Sequence, residues 1–135
     1  MTGKINKLFE GMSHSHSFVV TKEMMDGFLS ISNDTNKLHT DEDFAKINKF
    51  DGVVVYGGLI IAQISCLIGV HLPGENSIWN GLRINFKSPL MVNTLAILKA
   101  TITHVSEATS SVEIKFDVTS EDNIIASGSV GVTII

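Results

Sequence analysis

Gly57-Gly58-Leu59-Ile60-Ile61-Ala62-Gln63-Ile64-Ser65 is the stretch on which the fold turns. Apolar residues fall nearly all round its helical projection, the pattern of a buried helix rather than a surface one. Its Val, Ile and Leu content would also suit a strand. Continued to Gly69, however, the run is too long for one, and length decides for helix. Pro73-Gly74 closes the unit.

Beyond it the period changes to two. Leu82, Ile84 and Phe86 alternate with Arg83, Asn85 and Lys87, and Ala96, Leu98, Ala100 and Ile102 share a face. Val112, Ile114, Phe116 and Val118 alternate with Glu113, Lys115, Asp117 and Thr119. Ile124, Ala126, Gly128, Val130, Val132 and Ile134 make one face of a last strand, and turn clusters at 107–111 and 121–123 separate the runs. A sheet with one wet face must cover the other, and only the helix from Gly57 is long enough to do so. The expectation is an α+β fold: a curved antiparallel β-sheet wrapped around one central buried α-helix, in a single domain spanning residues 1–135.

Upstream, Ile5 to Phe9 reads as a short strand and His14 to Thr21 as another. Thr21 is placed to cap a helix, with Glu23 in its first turn and Met24, Met25, Phe28, Leu29 and Ile31 or Ser32 at roughly helical spacing. That helix delivers the chain to Ser32-Asn33-Asp34-Thr35-Asn36-Lys37-Leu38-His39, which reads as a turn. Thr40-Asp41-Glu42-Asp43 then opens a short helix through Phe44, Ala45 and Ile47. A loop over 48–52 returns the chain through Val53-Val54-Val55.

With 135 residues the chain can bury a real core. It is 44% hydrophobic and 18% charged, ordinary for a compact domain. A net charge of −4 and a pI near 5.6 give no basic field for nucleic acid. The ten Lys and Arg residues are scattered, with no run to hold a membrane surface. The longest apolar stretch, 53–70, is interrupted by Tyr56, Gly57, Gly58, Gln63 and Ser65, so no membrane span is expected. No apolar run of signal-peptide type opens the chain. The lone cysteine, Cys66, is expected in the core; a chain with no internal disulfide fits a reducing, cytoplasmic setting.

The chemistry centres on Asp34 and His39, a carboxylate and an imidazole on one loop facing the amino end of the helix. That combination suits proton transfer beside a carbonyl whose oxygen becomes negative. The Gly57 N–H, in the first helical turn, is the expected oxyanion donor. His14 and His16 share a face if their segment is a strand. With no Cys or acid at ligand spacing, no metal is expected. Arg83 and Lys87 read as solvated strand charges, and His104 as a surface residue.

These residues resemble the MaoC-like, R-specific enoyl-CoA hydratases and dehydratases of the hot-dog fold. The family motif is roughly Ser-Gly-Asp-x-Asn-Pro-x-His, followed by a His-Gly-Met entrance to the central helix. Ser32, Asp34, Asn36 and His39 match it, then Gly57, with Ser65 further along the helix. The likeness runs on through Leu72-Pro73-Gly74, Ser77-Ile78 and Phe86-Lys87-Ser88-Pro89-Leu90. Asn33 stands where the family has Gly, Lys37 where it has Pro and Tyr56 where it has His. Asn tolerates a left-handed backbone better than most residues, so the turn should survive.

The resemblance implies reversible addition of water across a trans-2-enoyl thioester of coenzyme A or an acyl-carrier protein. His39 would be the base, Asp34 would hold the water and Asn36 would orient the loop or the water. Gly57 would stabilise the oxyanion, with Ser32, Tyr56, Gly58 and Ser65 around the substrate. No cofactor is implied. A homodimer or higher homo-oligomer is, since a lone sheet leaves an unpaired edge. The alternatives are a hot-dog thioesterase and a binding module without turnover. The absence of Asp or Glu from 57–69 weakens the first. His71-Leu72-Pro73-Gly74 is similar to a motif of carrier-protein dehydratases, but here it follows the helix instead of preceding it.

Overall fold

The computed structural model describes residues 2–135. Five strands form one sheet: β1 (Ser13–Val19), β2 (Ser77–Phe86), β3 (Leu95–Ser106), β4 (Ser111–Ser120) and β5 (Asn123–Ile134). Their order is β1-β3-β4-β5-β2, every neighbouring pair antiparallel. The helices are α1 (Thr2–Ile5), α2 (Lys22–Ser32), α3 (Lys37–Thr40), α4 (Glu42–Ile47) and α5 (Gly57–Cys66), and α5 runs into a π turn over Leu67–His71. This is the expected hot-dog arrangement, with β1 added as an edge strand beside β3.

The period-two faces of β3 and β4 are buried as read: Ala96, Leu98, Ala100 and Ile102, then Val112, Ile114, Phe116 and Val118. Against them lie Ile60, Ile64, Leu67 and Ile68 of α5 and its π turn. Full burial of each of the larger side chains, the Val, Leu, Ile and Phe among them, stabilises the fold by about 1.5–3 kcal/mol.

Four expectations are corrected. Residues 5–9 form no strand; the chain leaves α1 at Ile5, and the ladder to β3 begins only where Gly11 N donates to Ile102 O. Ile124 is 49% exposed and Ile125 is buried in its place, because a bulge between Val118 and Thr119 shifts the register at the start of β5. On β2, Leu82 and Phe86 are exposed, on the edge strand of the sheet, although the Phe86 ring lies against Gly57 at the start of α5. Finally, α5 is buried on one side only. Ala62, Ser65, Cys66, Gly69 and Val70 are exposed along its outer face, so Cys66 is not a core residue.

Candidate active site

The loop that carries the acid and the base is built by caps. Thr21 Oγ1 accepts from Met24 N at 3.2 Å to start α2. At the other end Asn33 adopts φ 57°, ψ 26°, and its N–H donates to Leu29 O. The left-handed turn that the family makes with glycine is thus made here with asparagine. Ser32 Oγ donates to Phe28 O at 2.7 Å and accepts from Asp34 N at 3.1 Å. Asp34 Oδ1 accepts from Asn36 N, and Asn36 Oδ1 accepts from Leu38 N, capping the one-turn helix α3 that carries His39. The stretch was read as a turn throughout, but its last residues close into this helical turn. The next helix, α4, is capped by Asp41, whose Oδ1 accepts from Phe44 N.

His39 is half-buried, with Nδ1 2.6 Å from the carbonyl oxygen of Val54. The same Val54 donates its N–H to Leu38 O, pairs with Met91 across an isolated bridge, and is followed by Val55, whose N–H donates to Leu90 O. A carbonyl can only accept, so Nδ1 carries the proton and Nε2 keeps its lone pair in the neutral ring. This tautomer is inferred from the hydrogen-bond partner.

The His39 ring stacks on Tyr56 at 4.3 Å, and Phe28 lies on Tyr56 at 4.6 Å. Tyr56 is 2% exposed, and its hydroxyl donates to the backbone carbonyl of Asp34 at 2.7 Å. Burial raises its pKa, and the negative charges of Asp34 and Asp26 add to the effect. Gly58 has a packing reason: a methyl group there would overlap the Phe28 ring.

Two cavities flank the segment 53–57. The first, about 570 Å³, is lined by His39 and Tyr56 with apolar walls from Met25, Leu29, Val53 and Met91. The second, about 380 Å³, is lined by Gly57 with Val55, Ile60, Phe86, Pro89 and Leu90. Gly57 begins α5, so its N–H has no intrahelical partner. Within one chain, then, His39 and Gly57 open onto different cavities. Ser32, Asp34 and Asn36 are exposed and line neither, and Ser65 lies on the outer face of α5. Among the described residues no hydrogen bond joins the Asp34 carboxylate to His39. They are linked through Tyr56, which touches the backbone of one and the ring of the other.

Two participants escaped the sequence reading. The Val54 carbonyl left no signal, because any residue supplies one. His71 was seen only as part of a Pro-Gly motif, although the π turn brings it to His14 and His16.

A curved antiparallel sheet wrapped around a central helix defines a hot-dog protein. The MaoC-like domain family matches residues 6–124, and the chain belongs to that family. The chain is 35% identical over 80 residues to an (R)-specific enoyl-CoA hydratase of Aeromonas caviae, covering 59% of this chain and 60% of that protein. It is 30% identical over 94 residues to the enzyme of the same name from Rhodospirillum rubrum, covering 70% and 65%. These alignments therefore span a little under two thirds of the curated relatives' lengths. The solved structure of an (R)-hydratase from A. caviae involved in PHA biosynthesis superposes with a TM-score of 0.90 at 26% identity, covering 95% of this chain and 98% of that one. Among the described residues no helix is long and apolar enough to cross a membrane.

Proposed function

We propose that the chain is an R-specific enoyl-CoA hydratase, adding water reversibly across a trans-2-enoyl thioester to give a 3R-hydroxyacyl thioester. Family membership and the relatives' names support this reading, but one observation carries it. The Nδ1–H of His39 is committed to the Val54 carbonyl, which leaves Nε2 free to take a proton, and the ring lines the first cavity together with Tyr56.

In the hydration direction, His39 Nε2 removes a proton from water as its oxygen bonds to carbon 3. The electron pair of the alkene shifts toward the thioester, placing negative charge on the carbonyl oxygen. The Gly57 N–H receives that charge; losing such a donor typically costs about 3 kcal/mol of barrier. The missing side chain at Gly57 makes room for the Phe86 ring, which would lie 3.0 Å from a Cβ there and so forms a wall beside this amide. The enolate collapses by taking at carbon 2 the proton that His39 has removed from water, returned directly or through Asp34, which holds that water.

The Asp34 carboxylate is exposed in the isolated chain, and a second copy completes the site in this reading. The same copy covers Leu82 and Phe86 of β2 and Val70 beside α5, all exposed here. The relatives' names favour coenzyme A as the carrier. A cytoplasmic setting suits the free Cys66 thiol.

Crotonyl-CoA mixed with the purified protein tests the reading. Loss of enoyl absorbance without thiol release is expected, whereas thiol release would indicate a thioesterase and unreacted bound ligand a binding module. His39→Ala should lower kcat by about 10²–10⁴-fold. A full rate in that variant would remove His39 from the mechanism.

A further inference from the structure

Three histidines that hydration does not use meet at the edge of the sheet. His14 and His16 are two residues apart on β1 and so project to the same side. The π turn after α5 carries His71 across to them. One ring nitrogen from each lies within 4.8 Å of the other two. The His14 and His71 rings are stacked at 4.3 Å, and His16 stands 6.2 and 6.0 Å from their centroids.

A second observation is independent of that proximity. His16 Nδ1 is sealed from solvent and has no hydrogen-bond partner, the only such side-chain atom among the described residues. A buried polar nitrogen without a partner is unfavourable, and native structures resolve it with a proton donor, a water or an ion.

We propose that His14, His16 and His71 form a binding site for a divalent transition-metal ion of the zinc class. Neutral imidazoles suit that class, and three of them with one open position form a common zinc ligand set. Zinc–nitrogen bonds of 2.0–2.1 Å in a tetrahedron set neighbouring ligand atoms about 3.4 Å apart. The present separation, up to 4.8 Å, closes on binding, which unstacks His14 from His71. His71 is exposed and gives the ion its way in; water fills the fourth position. The bound ion ties the π turn to the edge strand β1.

The test uses the tag-free full chain. Cobalt(II) titration should give the visible d–d bands of a tetrahedral ion, bleached by zinc, and calorimetry with zinc chloride should give one ion per chain. His71→Asn and His16→Asn should each weaken binding by at least about a hundredfold, beyond what losing an outer-shell partner does, with far-UV circular dichroism unchanged. His104→Asn, at an exposed histidine outside the cluster, should bind as the parent does. His14→Ala replaces any variant that fails to fold. The proposal is overturned by a parent chain without saturable binding, by wild-type affinity in His71→Asn, or by equal weakening in His104→Asn.

Discussion

Tyr56 lies between Phe28 and His39 and donates its hydroxyl proton to the Asp34 carbonyl, so one side chain holds the helix entrance, the base and the acid-bearing loop together. Its pKa is raised in the fold, by burial first. A folded-state value above the unfolded one means that the native state holds the proton longer. Stability from this group is therefore complete below about pH 10 and is lost as pH rises through the folded pKa. The parent should lose stability to urea above pH 10, and Tyr56→Phe should flatten that loss. Because Tyr56 is the only tyrosine, ultraviolet titration of the native chain reports it alone, and an ordinary phenol titration would refute the linkage. At this scale the sequence was readable where a residue type has one use. Asn33 was expected to keep the left-handed turn, and it does. It was not readable where a backbone atom does the work, as at Val54.

At the scale of elements, α2 and α5 pack through Phe28 and Gly58. Replacing Gly58 by alanine favours helix slightly but drives a methyl group into the Phe28 ring. Gly58→Ala should destabilise the chain by about 1–3 kcal/mol in urea denaturation. Adding Phe28→Leu should recover part of that loss, and strict additivity would show that the two residues do not meet. Strand existence was plain in the alternation of β3 and β4. The misplaced Ile124 shows the limit: a bulge inserts one residue, and alternation alone does not say where the phase slips. The one-turn helix α3 was hidden for a different reason. Its four residues carry no helical period, and it exists because Asn36 caps it and Val54 receives His39.

For the molecule as a whole, Ile78, Leu82 and Phe86 leave apolar surface on the free edge strand β2 and Val70 does so beside the outer face of α5, while Ile31, Ile47, Leu95 and others are exposed elsewhere. Two copies joined there would bury both. Light scattering at micromolar concentration should give a dimer, and Leu82→Lys should shift it toward monomer with loss of hydration. A monomeric parent that retains full activity would overturn the shared site. The sequence conveyed the wrapped sheet because periodicity and length constrain it. It did not convey which side of α5 stays open, since an apolar helix looks the same whether its second cover comes from the same chain or another.

The grip of the Val54 carbonyl on His39 has a consequence for variation. The partner that aims the base is written in the main chain, so every amino acid at position 54 supplies it. A scan of side chains there would score only packing and pass over the orienting contact. What could unseat the imidazole is a change of path, such as a residue inserted between 50 and 54 or a shift of the Leu90–Met91 segment against which this peptide is pinned. Drift in residue identity at 54 is therefore tolerable to the chemistry, while drift in loop length is not.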